Sequence, residues 1–481
     1  MTEKELGQFH FPKSAFAATA RKGLLHLLSS SLSNEVFSYI TCLDIFIRPL
    51  GASKMISYRA FNVYLPKVKK YDYPDLLQCQ PVDVMIVGYS NRPAEIITLG
   101  KVIMDLAANN RSILYLCSFD SDEHHYLQSL TAGISDLITF FDIKHLPNSD
   151  IESDRQNSLE KAKYTLQCIQ KQLQLKEMDI AVEAALDAQL VAIYQDAWKY
   201  WRDVISPDSI FVRNIHSPEC CAIAHDAIRM GIPVTSIQHS VIAAVSPYIP
   251  LMANNYLCFG NCSIDLLNRM ENDVHEKTGF LKVENKKIAA GSMVDELPDT
   301  SNCFHNKTLL VIDQYSNWAE DYFGLHECFK ELPKTVEQLA QSQSGLDKIV
   351  IRTHPENQRA ESWQNILHKY GDLIEISSSI KPLREDIVCS SVAIGIFSTA
   401  LVAAAASGLP TCFFWRPGWY YTPDLRIYRE SGYFMESLEF VEWLYKIISD
   451  KKSYGAERRK ILEISQEYFT PTSALKYCSM I

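Results

Sequence analysis

Short apolar runs alternate with amphipathic stretches along most of the chain, and this alternation restricts the folds open to it. The run at 82–88 is followed by a helical pattern at 94–108 and by a second run at 112–117. Runs at 209–213 and 233–237 continue the pattern. Uninterrupted apolar runs of this length predict strands buried on both faces, and helices between them predict a parallel sheet. We therefore expect a doubly wound α/β protein.

The alternation restarts after a polar stretch at 299–306, which predicts a second domain. Runs at 308–312 and 348–352 and a helix at 399–406 belong to it. The length of 481 residues suits two or three domains of about 100–200 residues. Two such domains are expected to face each other across a cleft, at the carboxyl ends of both sheets. The predicted boundaries are a cap or lead-in at 1–80, a first Rossmann-like domain at 81–300 with a helical insertion near 154–204, a second at 306–450, and a C-terminal helix at 451–481.

Charge and cysteine usage argue against several classes of protein. The formal net charge is -10, so the chain as a whole has no electrostatic attraction to nucleic acid phosphates. Several of its 13 cysteines lie in apolar runs and none forms a paired C-x-x-C spacing, which predicts reduced core thiols and no structural zinc. The charged N-terminus has no apolar signal-peptide segment behind it, so we expect a cytoplasmic protein.

The uncharged segment between Ile387 and Trp415 is long enough to cross a membrane. Serine, glycine and proline divide it, however, so we expect a buried strand, a loop, an alanine-rich helix and another strand. Basic clusters could instead bring the protein to the anionic cytoplasmic face of an inner membrane, beside a lipid-linked acceptor, although such charges are often only solvated surface. They are Lys67, Lys69, Lys70, Lys451, Lys452, Arg458, Arg459 and Lys460.

Polar residues directly after the predicted strands are candidates for ligand binding, because open parallel sheets bind ligands at their carboxyl edges. Ser398 and Thr399 open a helix whose free N–H groups and positive dipole end suit a phosphate. His354 could donate a hydrogen bond or a proton to a departing phosphate oxygen. Both also have structural explanations, since Ser and Thr cap helices and His-Pro can begin a turn. Further donor-side candidates are Arg352, Pro355, Glu356, Asp313 and Gln314, and acceptor-side candidates are Asn91 and Arg92.

Spaced short motifs over residues 205–420 resemble those of GT-B glycosyltransferases. "Arg-Thr-His-Pro-Glu" at 352–356 and "Phe-Ser-Thr-Ala" at 397–400 look like the His-Pro and Ser-Ser/Thr motifs of bacterial sialyltransferases, polysialyltransferases and capsule Kdo transferases. "Gln-His-Ser" at 238–240 is similar to the Gln-His-Gly signature of capsule members, with Ser240 in place of glycine. The resemblance implies that His354 and Ser398-Thr399 contact the phosphate and cytidine of a CMP-sugar, with neither a metal nor another cofactor.

The catalytic base or nucleophile is expected from the first domain, across the cleft from the donor phosphate. The candidates are His239, then Glu219 and His216. For His239 a structural role is an equal alternative. An inverting enzyme needs a base beside the acceptor hydroxyl, whereas a retaining enzyme with a covalent intermediate needs a carboxylate nucleophile, and the sequence leaves both open.

These observations predict a metal-independent glycosyltransferase that moves a CMP-linked nonulosonic acid or Kdo onto a bacterial surface glycan or lipid-linked saccharide. One alternative is a UDP- or GDP-sugar transferase, or a CDP-glycerol-type glycerophosphotransferase, on the same fold. Another is a non-catalytic subunit of glycan assembly, since a fold alone does not fix a function.

Overall fold

The computed structural model shows two parallel β-sheets that follow one another along the chain. The predicted cap at 1–80 and nearly all of the predicted insertion near 154–204 lie outside the described residues. The structure describes residues 81–88, 93–117, 119, 121–142, 198, 202, 205–214, 218–238, 251, 253–278, 284–291, 297–313, 326–342, 345–353, 360–377, 381–396, 398–414, 437–465 and 467–469.

In the described part of the chain, seven strands form the first sheet. They are β1 (Val84–Val87), β2 (Ile113–Cys117), β3 (Ile138–Asp142), β4 (Ser209–Val212), β5 (Val234–Ile237), β6 (Asn255–Cys258) and β7 (Lys286–Ala289). All pairings are parallel, in the spatial order β3-β2-β1-β4-β5-β6-β7. The chain winds outward from β1 to β3 and then builds β4 to β7 on the other side, so the winding direction reverses between β1 and β4.

Among the described residues, the second sheet has five strands and the same kind of reversal. They are β8 (Thr308–Ile312), β9 (Lys348–Arg352), β10 (Ile374–Ser377), β11 (Val392–Gly395) and β12 (Thr411–Phe413). All are parallel, in the order β10-β9-β8-β11-β12, with the reversal between β8 and β11. The predicted fold class is confirmed: this is an α/β protein with two doubly wound Rossmann-like domains in series, the GT-B architecture.

Helices connect the strands, as parallel pairing requires. Apolar positions at helical spacing, such as Leu99, Val102 and Leu106, are buried against the first sheet. The described helices are α1 (Pro93–Ala108), α2 (Asp122–Leu130), α3 (Pro218–Arg229), α4 (Asn261–Thr278), α5 (His326–Gln341), α6 (Ala360–Tyr370), α7 (Leu383–Val388), α8 (Thr399–Ala406), α9 (Ser437–Ser449) and α10 (Lys451–Ser465).

The uncharged segment that resembled a membrane span is divided as expected. It contains the end of α7, then β11, α8 and β12. Residues 401–405 of α8 are all buried, which explains why this helix is apolar on every side. No helix in the described part of the chain is long and apolar enough to cross a membrane.

Three contacts join the two domains, the first of them at the polar stretch 299–306. Oγ1 of Thr300 donates a 2.5 Å hydrogen bond to the carbonyl oxygen of Ser407. After α10, the chain reaches the first domain, where Phe469 stacks on Phe259 with ring centroids 5.1 Å apart. The backbone N–H of Cys262 donates to the carbonyl oxygen of Glu467 at 3.0 Å. Residues 467–469 are therefore fixed at the carboxyl end of β6.

Some elements differ from expectation for local reasons. The stretch at 299–306, expected to be a polar linker, holds a short 3-10 turn over Cys303–Asn306 in which Cys303 is buried. Helix α10 begins at Lys451, because Asp450 caps it by accepting from the N–H groups of Lys452 and Ser453.

Candidate functional site

The winding reversals bring the sequence-predicted residues to two places. In the second domain, Asp313 directly follows β8, Arg352 ends β9, and Ser398 precedes α8 after β11. These are neighbouring strands, so the three residues share the carboxyl edge at the reversal. In doubly wound sheets this crevice is where ligands bind. His354, Pro355, Glu356 and Gln314 follow the same strand ends in sequence and lie outside the described residues.

Ser398 is the N-cap of α8. Its backbone is extended, and its Oγ accepts a hydrogen bond from the N–H of Ala400 at 3.1 Å. Thr399 begins the helix and is partly exposed. Ser398 is therefore a helix cap, which was its structural explanation. This cap is compatible with phosphate binding, because it leaves other N–H groups of the first turn available to an anion.

Close packing beneath α8 fixes where its first turn lies. A Cβ atom at Gly395, the last residue of β11, would lie 2.8 Å from the carbonyl oxygen of Ile312 at the end of β8. Only glycine permits this approach. The start of α8 therefore lies directly over the reversal between β8 and β11.

Asp313 is buried and anchored. Its Oδ2 accepts a 2.7 Å hydrogen bond from Nε1 of Trp363 on α6, and its backbone N–H donates to the carbonyl oxygen of Arg352 at 2.9 Å. The tryptophan is itself only 2% exposed. Asp313 thus joins β8, β9 and α6 at the carboxyl edge, a role that loop polarity alone would not require.

Asp386 of α7 collects hydrogen bonds from three other segments. Its Oδ2 accepts from Nη1 of Arg352 and from Oγ of Ser377, each at 2.7 Å. Its Oδ1 accepts from Nζ of Lys381 at 2.7 Å. This hydrogen bond and the charge of Asp386 raise the pKa of Lys381. These four residues, here called the Asp386 cluster, place two cations around one fully buried carboxylate.

Polar side chains are also paired near the winding reversal of the first domain. Oη of Tyr115 donates to Oε1 of Glu123 at 2.6 Å, and both side chains are fully buried. Burial, followed by the charge of Glu123, raises the pKa of Tyr115. Across the β1–β4 boundary, Nη1 of Arg213 lies 3.1 Å from Oε2 of Glu95 in the first turn of α1. The acceptor-side candidates Asn91 and Arg92 lie between β1 and α1 in sequence, outside the described residues.

The candidates for the base follow two paired strands, β4 and β5. Glu219 lies in the first turn of α3, and its side chain is outside the described residues, as are His216 and His239. Gln238, one residue before His239, is described. Its Oε1 accepts from the N–H of Phe259 at 2.8 Å, and its own N–H donates to the carbonyl oxygen of Leu257 at 2.9 Å. Gln238 therefore fixes the end of β5 against β6.

Sequence reasoning missed Lys381, Asp386, Trp363, Glu95 and Arg213. One signal was available: Arg352 ends an otherwise apolar run, and an arginine there needs a buried partner. The partner lies 34 residues away and cannot be identified from spacing. Among the described residues, no group of three or more His, Cys, Asp or Glu side chains is placed to hold a metal ion.

No protein-family model matches the chain, and no curated protein matches it. Solved structures do resemble it. UDP-GlcNAc 2-epimerase from Neisseria meningitidis, bound to UDP-GlcNAc, has a TM-score of 0.49 at 14% identity and covers 82% of this chain and 98% of its own. Acinetobacter baumannii MurG has a TM-score of 0.43 at 11% identity and covers 80% of this chain and 97% of its own. Anabaena HepE, in complex with UDP and glucose, has a TM-score of 0.45 at 12% identity and covers 83% of this chain and 98% of its own. The fold assignment rests on strand order and register rather than on these likenesses.

Proposed function

We propose that this protein is a GT-B glycosyltransferase that uses a nucleotide-activated sugar. The observation that carries the proposal is the N-terminus of α8, which opens at the reversal between β8 and β11 and is fixed there by the contact of Gly395 with Ile312. A nucleotide phosphate at this point would accept from the first-turn N–H groups and lie at the positive end of the helix dipole.

The leaving group would be stabilised without a metal ion. When the bond between the sugar and the phosphate breaks, negative charge grows on the phosphate oxygens. The N-terminus of α8 would stabilise this charge through N–H groups that need no reorganisation. His354, which follows β9, would supply a further hydrogen bond or a proton.

The acceptor would bind in the first domain, at the carboxyl ends of β1, β4 and β5. His239 is the preferred base. The residue before it, Gln238, is fixed to the residue after the neighbouring strand β6 by the hydrogen bond from Phe259. Glu219 and His216 are the alternatives. The favoured donor is a CMP-linked nonulosonic acid or Kdo and the favoured acceptor a bacterial surface glycan, both drawn from the motif resemblance. A UDP- or GDP-sugar, or a CDP-glycerol, is the alternative on the same site.

Calorimetric titration with CMP, CDP, UMP, UDP and GDP tests the proposal. We expect selective binding of one nucleotide, weakened about tenfold by Ser398→Ala. The matched control is Ser121→Ala, because Ser121 caps α2 in the same way, by accepting from the N–H of His124 at 3.2 Å. Binding that is equally weakened by both variants would remove α8 as the site. Failure to bind any nucleotide would favour the non-catalytic alternative.

A further inference from the structure

The Asp386 cluster lies at a distance from α8 that suits the other end of a nucleotide. Strands in a sheet are spaced by about 4.8 Å. Arg352 ends β9, two strands from β11, and Ser377 ends β10, three strands away. The cluster is therefore about 10–14 Å from the start of α8 along the carboxyl edge. An extended nucleoside monophosphate whose phosphate lies at α8 spans such a distance and would bring its base to the cluster.

Lys381 is the most exposed residue of the Asp386 cluster. Asp386 is fully buried, and the side chain of Arg352 is 14% exposed, whereas that of Lys381 is 35% exposed. Lys381 lies between the carboxyl end of β10 and α7. One of the three N–H groups of its ammonium donates a hydrogen bond to Asp386. The exposed part of the cluster is therefore the lysine, with its position fixed by the buried carboxylate.

The chemistry of the cluster distinguishes between pyrimidine bases. Lysine and arginine are hydrogen-bond donors only. The raised pKa of Lys381 keeps it a charged donor at neutral pH. Cytosine presents two adjacent acceptors, O2 and N3. Uracil carries a proton on N3, so a donor facing that atom meets another donor. An unsatisfied polar pair of this kind weakens binding strongly.

We propose that Lys381, beside Arg352, forms the base subsite of the donor site and selects cytosine nucleotides by donating to O2 and N3 of the base. Asp386 is a positioning residue that holds both cations and does not touch the ligand. This inference rests on the proposed nucleotide-sugar function and adds to it the residue that selects the base.

Titration of the full chain with three monophosphates tests the inference without any substitution. The probes are CMP, UMP and the monophosphate of 2-pyrimidinone riboside, which keeps O2 and N3 of cytosine but lacks its amino group. We expect CMP and the analogue to bind within about threefold of each other and at least about tenfold more tightly than UMP. An analogue that binds as weakly as UMP would show that the amino group, not O2 and N3, is recognised, and would overturn the inference.

Substitution of the lysine supplies the second test. Lys381→Met keeps the length of the side chain and removes its donors, so it is expected to weaken CMP about tenfold and to leave UMP nearly unchanged. Lys369→Met is the control, because Lys369 is an exposed cation on α6 of the same domain, paired with Glu337. An unchanged ratio of CMP to UMP affinity in Lys381→Met overturns the inference but leaves the transferase proposal standing. If no nucleotide binds the unsubstituted chain, both fail.

Discussion

Gly88, the residue after β1, lies directly on the hydroxyl of Tyr115: a Cβ atom at position 88 would overlap Oη and Cζ of the ring. The tyrosine cannot move aside, because it is fully buried and its hydroxyl is bonded to Glu123. Gly88 is the last described residue before the segment that carries Asn91 and Arg92 in sequence.

Gly88→Ala is therefore expected to destabilise the protein by about 1–3 kcal/mol, the range for overpacking a core. The matched control is Gly133→Ala, since a Cβ at Gly133 meets nothing within 4 Å. Urea unfolding measures both. Equal stabilities for the two variants would contradict the packing described for Tyr115.

Gly260→Ala is expected to release the C-terminal segment from the first domain. A Cβ at Gly260 would lie 2.5 Å from the carbonyl oxygen of Glu467 and 2.7 Å from the carbonyl carbon of Tyr468, which are backbone atoms. Release would expose Cys262, whose Sγ lies 3.4 Å from Oε2 of Glu467. Alkylation of Cys262, mapped by mass spectrometry, should become at least several-fold faster. Gly455→Ala, where the nearest atom is 3.7 Å away, should leave the rate unchanged.

Asp386→Asn is expected to lower the free energy of unfolding by about 3–5 kcal/mol, because it leaves Arg352 and Lys381 without their shared counter-charge. Glu385→Gln is the neighbouring control, since Glu385 is exposed on the same helix, and it should change stability by less than about 0.5 kcal/mol. Chemical denaturation measures both. A mild effect of Asp386→Asn would mean that the cluster is solvated rather than buried.

Glu457 of α10 predicts a pH dependence of stability. Burial raises its pKa, against the attraction of Lys460, whose Nζ lies 3.8 Å away. A raised pKa means that the folded state favours the protonated acid, so this group's contribution is fully present below its unfolded pKa and is lost as the pH rises through the folded value. Glu457→Gln should therefore stabilise the protein at pH 7, and the gain should vanish near pH 4.

The exposed Glu463→Gln on the same helix should show no such trend when unfolding is followed over the same pH range. Destabilisation by Glu457→Gln at pH 7 would show that attraction to Lys460 and Lys446 outweighs burial.

The sequence predicted the positions of the strands better than the contacts between side chains. The apolar runs of β8 and β9 and the alanine-rich α8 were located to the residue, because their polar flanks mark where burial ends. β3 was not predicted, since its residues are only partly buried at the edge of the sheet and carry no continuous apolar run. The six-residue α7 is shorter than two helical turns and leaves no periodic signal.

The residues of the candidate site show the same difference between what the sequence reveals and what it does not. Ser398 and Arg352 were found because both lie next to a strand, and strand ends are visible in sequence. Their partners were not. Asp386, which also binds Lys381, reaches Arg352 only once β9 and β10 are paired, so folding rather than spacing creates the cluster.

The central claim is that the protein breaks the bond between a sugar and a nucleotide phosphate at the start of α8. The most direct measurement is phosphorus NMR of CMP-, UDP- and GDP-sugars incubated with the protein, following release of the nucleotide to water or to an added glycan acceptor. The account predicts release from one class of donor, with CMP-sugars favoured, reduced at least about tenfold by Ser398→Ala and unaffected by Ser121→Ala. A protein that binds nucleotide yet releases none from any donor, with or without acceptor, would contradict it.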